Sequence, residues 1–308
     1  MNWKISAFSI LGFAFLAGCN PDTHHSDNEV EVQFEEYASR KYLIEPEELA
    51  ELLNNQHAIK LIDVRKPTHF SKGHIRGAVN IWRNQITDTS FDYGGMMPNK
   101  TQMEKLFGEL GIAPSDTLII YDDKAECDAA RLWWICKFYG HQNMKLLNGG
   151  LKAWSVLDSS LSFDNQLVVV TDYQFYSEAD SSILMNYQVL KLLEIDSTVT
   201  LVDTRNIAEY AGEELKDGAA RAGHILGAKN LDWAASVNYS GNHKFLPVSD
   251  LKLKFSSIGI DGTKPIVSYC HSGVRSAHTL FVLTELLGYK EVRNYDGSWT
   301  EWSHLTPE

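Results

Sequence analysis

The chain contains itself twice. Leu110-Gly111-Ile112 through Trp154 aligns with Ile258-Gly259-Ile260 through Trp302 at a constant offset of 148. Gly288 falls on Gly140, Gly297 on Gly149, and Cys270 on Asp122. Upstream, Leu61-Ile62-Asp63-Val64-Arg65 pairs with Leu201-Val202-Asp203-Thr204-Arg205. Gly73-His74-Ile75-Arg76-Gly77-Ala78 pairs with Gly223-His224-Ile225-Leu226-Gly227-Ala228. The offset rises from 140 to 150 between those two blocks, so the second copy carries ten extra residues around Gly212 to Ala222. Three acids and two bases in that insertion mark a surface loop. Self-similarity of this kind means that whatever one copy folds into, the other does too.

Each copy alternates apolar runs with helical periodicity. In the second, 182–194 reads as a helix, 199–203 as a strand and 228–230 as a short strand. A helix over 248–256, a strand over 266–269, a helix over 276–287 and a strand over 292–295 follow. Alternation of this kind predicts an α/β fold: two domains, each a mostly parallel sheet with helices on both faces. The expected domains are 40–156 and 181–308, joined by a linker over 157–180 that has no repeat partner. Chemistry in such sheets sits in loops at the carboxyl ends of strands.

The first residues do not belong to that repeat. Met1-Asn2-Trp3-Lys4 carries one positive charge and is followed by an apolar run from Ile5 to Ala17. A membrane span needs ~20 apolar residues, so the run is too short to cross a bilayer and matches a secretory signal instead. It ends Leu16-Ala17-Gly18-Cys19, which resembles a bacterial lipobox, in which the cysteine is lipidated and becomes the mature N-terminus. The expectation is a signal peptide over 1–18, a polar tether over 19–39, and an exported body held at the cell envelope by its lipid anchor alone. That places it on the periplasmic side of a membrane or at a cell surface. A net charge of −12 with no Lys/Arg cluster argues against nucleic acid as a partner.

Cys270 stands where a short apolar run meets a helix, in Tyr269-Cys270-His271-Ser272-Gly273-Val274-Arg275-Ser276. A thiol there faces loop N–H groups and the positive end of a helix, and both favour a thiolate. An ordinary thiol titrates at ~8.5, so the loop and Arg275 would have to lower that value for the thiolate to be present at neutral pH. Gly273 lets the backbone approach the sulfur. Ser272 and Ser276 can donate to the sulfur or to a substrate, and Ser276 can equally cap the helix. Val274 completes the loop. His271 either adds charge or faces solvent.

Taken together, these strings resemble the tandem-domain rhodaneses, the thiosulfate and 3-mercaptopyruvate sulfurtransferases. The motifs are Asp-x-Arg at Asp63/Arg65 and Asp203/Arg205, the Gly-His-Ile-x-Gly-Ala pair, the Cys270 loop, and Tyr295-Asp296-Gly297-Ser298-Trp299-Thr300-Glu301-Trp302. The resemblance spans about Arg40 to Leu305. Arg76 and Leu226 depart from it, standing where the family often has proline. It implies that a small anionic donor passes its sulfane sulfur to Cys270, and that a thiol or cyanide acceptor removes it. The first copy, with Asp122 at the equivalent position, is then catalytically silent.

Arg275 and Arg205 are the expected contacts for the donor. Arg205 has an alternative, a salt bridge to Asp203, and its twin Arg65 in the silent copy favours that structural role. Lys216 and Arg221 in the insertion are weaker candidates, and His74 and His224 read as loop-bracing. Cys127 aligns with Arg275, and its acidic neighbours blunt it. Cys136 reads as core. Nothing in the chain calls for a cofactor, and no Cys/His spacing supports a metal site.

The loop His271-Ser272-Gly273-Val274-Arg275 falls between the family's two substrate signatures, with thiosulfate favoured over 3-mercaptopyruvate. A persulfide carrier or sensor that docks a protein partner is the non-enzymatic alternative. A rhodanese-fold cysteine phosphatase or arsenate reductase is disfavoured, because Arg275 follows Cys270 one residue sooner than a phosphate cradle requires.

Overall fold

A computed structural model describes residues 35–306, apart from 56, 159, 165–166 and 194–197. The signal segment, Cys19 and the tether as far as residue 34 lie outside the described residues. In the first copy the order is β1 (Leu43–Ile44), α1 (Pro46–Asn54), β2 (Ile59–Asp63), α2 (Pro67–Phe70), β3 (Ala78–Asn80), α3 (Lys100–Glu109), β4 (Thr117–Tyr121), α4 (Cys127–Phe138), β5 (Met144–Leu147) and α5 (Gly150–Leu157). The second copy runs β6 (Leu184–Met185), α6 (Tyr187–Leu193), β7 (Thr200–Asp203), α7 (Ile207–Ala211), β8 (Lys229–Asn230), α8 (Val248–Ser257), β9 (Ile266–Tyr269), α9 (Val274–Phe281), β10 (Val292–Tyr295) and α10 (Ser298–Leu305).

The two sheets have orders β1-β5-β4-β2-β3 and β6-β10-β9-β7-β8, the same topology repeated. Every strand pairing is parallel. The repeat also holds at the level of single bonds. Ile75 N–H donates to Tyr121 Oη at 3.1 Å, as Ile225 N–H donates to Tyr269 Oη at 3.1 Å.

Two elements differ from the sequence-based expectation. The single helix expected over 182–194 is broken, because Leu184 and Met185 pair with Asn294 and Tyr295 of β10 as an edge strand. Two residues are too few to show a period. The helix expected from Ser276 begins at Val274, straight after Gly273, and continues past Phe281 as a π turn to Leu286.

The two copies share one core. Trp133 of α4 meets Phe281 of α9 edge to face at 4.8 Å. Every residue of α4 except Lys137 is buried, as expected of a helix enclosed on all sides. Lys137 itself pairs with Glu285 across the seam. The segment after α5 is strapped to the first copy, where Thr171 N–H donates to Gly108 O at 3.0 Å and Tyr173 packs against Phe107. The packing of α4 on α9 brings the N-termini of these helices to one cleft.

Candidate active site

Cys270 follows the last residue of β9 and is 1% exposed. Gly273, at φ +74°, ends the loop and starts α9. A Cβ there would lie 2.5 Å from Asp296 O and 2.8 Å from an Arg131 nitrogen, so glycine is required both for the left-handed backbone and for the close approach. Ser298 ties the loop down: its Oγ accepts from Cys270 N–H and Gly273 N–H, both at 3.0 Å, and donates to Tyr295 O at 2.7 Å. Thr300 holds His271 O through both its N–H and its hydroxyl. The motif from Tyr295 to Trp302 is therefore the buttress of the cysteine loop.

Burial alone would push the Cys270 thiol up. Arg275, the Ser276 hydroxyl and the N–H groups of Ser276 and Ser272 outweigh it, and the net effect lowers the thiol below its ordinary value. Ser276 Oγ donates to Sγ at 3.5 Å. Ser276 thus serves the sulfur, and Gly273 holds the cap position. The first copy shows what this loop is built to hold. Asp122 Oδ1 accepts from Lys124 N–H and Glu126 N–H at 2.8 and 3.0 Å, and Oδ2 from Asp128 N–H and Ala129 N–H at 2.8 and 3.0 Å. Lys124 and Asp128 are the repeat equivalents of Ser272 and Ser276. The same nest therefore encloses the Asp122 carboxyl group in one copy and the Cys270 thiol in the other.

The cleft over Cys270 has a volume of about 230 Å³. Its walls include Cys270, His271, Ser272, Val274, Arg275, Lys216 and Trp233 from the second copy, and Arg83, Lys124, Cys127 and Asp128 from the first. Arg275 is held by Glu209 in a two-pronged pair at 2.5 and 2.8 Å. Lys216 lies 4.0 Å from the same carboxylate. Arg83 pairs with Asp128, which Lys124 approaches at 3.8 Å. Four cations thus face two carboxylates, a local positive excess in a chain of net charge −12.

The structure does not bring Arg205 to this cleft. Its guanidinium, 2% exposed, grips Asp203 at 2.5 Å and Gly223 O at 2.7 Å and lies under Trp299. Arg65 does the same with Asp63 at 2.6 Å and Gly73 O at 2.8 Å. Both arginines brace the loop that carries the Gly-His-Ile motif, so the substrate role expected for Arg205 is corrected to a structural one. Arg221 stacks on Trp299 and takes no part in the cleft.

His271 is partly buried, with Nε2 against Asp217 O at 3.0 Å. Burial first, then Lys216, lowers its pKa to about 4, so it supplies no charge at neutral pH. The insertion folds over this side of the cleft. His74 and His224 stack on Phe70 and Tyr210 and bond the carbonyls of those same residues, in α2 and α7. Cys136 is core, and Cys127 and Cys136 are both free thiols.

Several site residues escaped the sequence reading. Glu209 has a sequence signal only in hindsight, as an acid four positions after Arg205. Arg83 and Asp128 come from the first copy, and Arg131 reaches furthest. Its guanidinium pairs with Asp296 at 2.6 Å, both groups being at most 4% exposed, and donates to Gly273 O at 3.3 Å and Gly95 O at 2.9 Å. Gly95, at φ +102°, passes so close to the cysteine loop that a Cβ would lie 2.4 Å from Ser272 Cβ.

Comparison with known proteins agrees with this arrangement. The family described as Rhodanese-like domain matches residues 45–157 and again 186–305. A Haloferax volcanii protein named "Putative thiosulfate sulfurtransferase" is 34% identical, over 83% of this chain and 90% of its own. The sulfur carrier protein TtuD of Thermus thermophilus is 36% identical, over 77% of this chain and 84% of its own. The solved structure of SseA from Escherichia coli, described among 3-mercaptopyruvate sulfotransferases, is 27% identical with a TM-score of 0.72, covering 84% of this chain and 99% of SseA.

Proposed function

The chain belongs to the rhodanese-like sulfurtransferases, and from that premise we propose that it moves sulfane sulfur through a persulfide on Cys270, with thiosulfate as donor. The observation that carries this reading is the lowered Cys270 thiol, set in a nest of N–H groups at the floor of a small cleft with excess positive charge. Thiosulfate is a compact dianion. The 230 Å³ cleft is smaller than a typical pocket for a drug-sized ligand, which starts at about 300 Å³. In this reading Arg83, Lys124, Lys216 and Arg275, which line the cleft, receive the sulfonate oxygens.

The Cys270 thiolate attacks the outer sulfur of thiosulfate. A new S–S bond forms, the old one breaks, and sulfite leaves with the electron pair. The persulfide anion then occupies the same nest of N–H groups that favours the thiolate, as an oxyanion hole favours developing charge. An acceptor such as cyanide or a thiol attacks the terminal sulfur and returns Cys270 as thiolate. Intact mass after incubation with thiosulfate or with 3-mercaptopyruvate tests both parts. A gain of one sulfur on Cys270 with thiosulfate is expected. A gain only with 3-mercaptopyruvate would reverse the donor, and Cys270→Ser that still accepts sulfur would end the assignment.

Similarity to TtuD favours a second reading, in which the Cys270 persulfide is handed to a protein partner. Transfer to proteins but not to cyanide or small thiols would select it. We further propose that Cys19 carries the lipid that holds the protein at the cell envelope. Labelling with a fatty-acid probe, lost in Cys19→Ser together with membrane retention, is the expected result.

A further inference from the structure

Two thiols face the one cleft, and the reaction above uses only one. Cys127 is the first residue of α4, is 5% exposed, and stands at the repeat position of Arg275. It lines the cleft together with Arg83 and Asp128 of the first copy and Cys270 and Val274 of the second. Arg83 and Arg275 line the same cleft as the two cysteines. No other described cysteine reaches this space, since Cys136 lies in the core with 0% exposure.

We propose that Cys127 is a resolving thiol that discharges the Cys270 persulfide as hydrosulfide when no acceptor is bound. This inference rests on the persulfide reading and adds a second outlet to it. In the step, the Cys127 sulfur bonds to Cys270 Sγ, the bond between Sγ and the terminal sulfur breaks, and the terminal sulfur leaves with that electron pair. The thiol proton of Cys127 leaves with it as HS⁻. Charge is unchanged, because an anionic persulfide gives way to an anionic hydrosulfide. The terminal sulfur is reduced as Cys127 is oxidised to the disulfide level, so no outside oxidant enters. A thiol reductant then opens the Cys127–Cys270 disulfide and resets the site.

The surroundings of Cys127 suit this role. Burial first, then Asp128 and Asp122, hold its thiol well above the ordinary range. It is therefore protonated and carries the proton that the leaving sulfide needs. It is also a poor nucleophile, so an acceptor that enters the cleft wins, and the outlet operates only in its absence. Confinement to one small cleft supplies the effective concentration that lets a weak nucleophile act.

The test loads the full-length protein with thiosulfate, removes the donor, and follows sulfide release and intact mass without acceptor. The wild-type protein is expected to release one equivalent of sulfide and to end two hydrogens lighter than the reduced protein, with Cys127 and Cys270 joined in the peptide map. Cys127→Ser, close in size to the native side chain, should load sulfur equally, keep its persulfide and release no sulfide. Equal persulfide lifetimes in the two proteins would overturn the inference, as would sulfane sulfur recovered on Cys127. Failure of both proteins to load would instead sink the persulfide reading itself, and this outlet with it.

Discussion

Arg131→Met removes the contact by which the first copy holds the Cys270 loop. Arg131 and Asp296 are 3% and 4% exposed and meet at 2.6 Å. Oδ1 of Asp296 faces the guanidinium as an ion pair without hydrogen-bond alignment, and the other carboxylate oxygen keeps only Met97 N–H at 2.8 Å. Removing the guanidinium strands a buried carboxylate, which costs about 3–5 kcal/mol. A domain of ordinary stability has roughly 5–15 kcal/mol in hand, so the variant should fold in the cold. Gly95 O also loses its donor, and Gly273 O is left with Asn294 Nδ2 at 3.2 Å. With Gly273 held by fewer contacts, the nest around Cys270 loosens, and thiosulfate:cyanide transfer should fall about tenfold, or about 1.4 kcal/mol of barrier. Asp296→Asn alone strands the cation, whereas the double variant strands neither. Urea unfolding of the four proteins should therefore show the double variant more stable than the summed single effects by about 2 kcal/mol. Alkylation of Cys270 across pH gives the second readout, with the thiol titrating higher in Arg131→Met than in the native protein. An additive cycle, or a native alkylation profile in Arg131→Met, would refute the claim that the first copy sets the loop.

Glu209→Gln removes the counter-charge of Arg275. The freed guanidinium should lower the Cys270 thiol further, so alkylation by iodoacetamide persists to lower pH than in the native protein, while stability falls by about 2 kcal/mol from the weakened charged pair. Arg275 outweighs burial and holds Glu209 below the ordinary carboxylate range. The stability from that carboxylate is therefore present above its unfolded value and is lost as pH drops through the folded one. An acid transition unchanged in Glu209→Gln would contradict this. His271 has the opposite sense: with a folded pKa of about 4 against an ordinary 6.5, the unfolded chain binds the proton first, and stability declines as pH falls from about 6.5 toward 4. His271→Gln should remove that decline and leave the pH profile of transfer unchanged between 5 and 8; a displaced profile would mean that the imidazolium assists the thiolate.

The duplicated sheets were legible because parallel strands buried on both faces are apolar runs, and two copies of each run reinforce one another. Leu184–Met185 was not, since a two-residue edge strand has no period and is defined only by its partners in β10. The Cys270 loop was legible because its parts are contiguous. Asp128 and Arg131 were not, because they meet the cleft and its loop through the packing of α4 on α9, a contact between residues about 148 positions apart, and Arg83 joins them through its ion pair with Asp128. Arg205 shows the reverse error. Its position after a strand end suggested the cleft, yet an aspartate two residues earlier folds the guanidinium back beneath the loop. The twin pair Asp63/Arg65 was the available clue, since a residue needed equally in a silent copy serves the frame.

Which copy lowers the group held in its nest is decided by charge on a common backbone. Lys124, Glu126, Asp128 and Ala129 turn their N–H groups onto Asp122, and two of those four residues are acids. Burial, then Asp128, raises the Asp122 carboxyl to about 7 even inside its nest. Glu126, buried with neither carboxylate oxygen hydrogen-bonded, is pushed up further by burial and Asp122. The equivalent positions of the second copy are Ser272, Val274, Ser276 and Ala277, with Arg275 between them and no acid. The same nest then lowers the group it holds. Cys127 tests the argument within the native chain: it is a thiol at a helix N-terminus, yet burial, Asp128 and Asp122 raise it where the second copy's surroundings lower Cys270. A helix terminus and a nest of N–H groups are therefore insufficient to lower a cysteine in this fold, and the sign of the neighbouring side-chain charge selects which thiol is lowered.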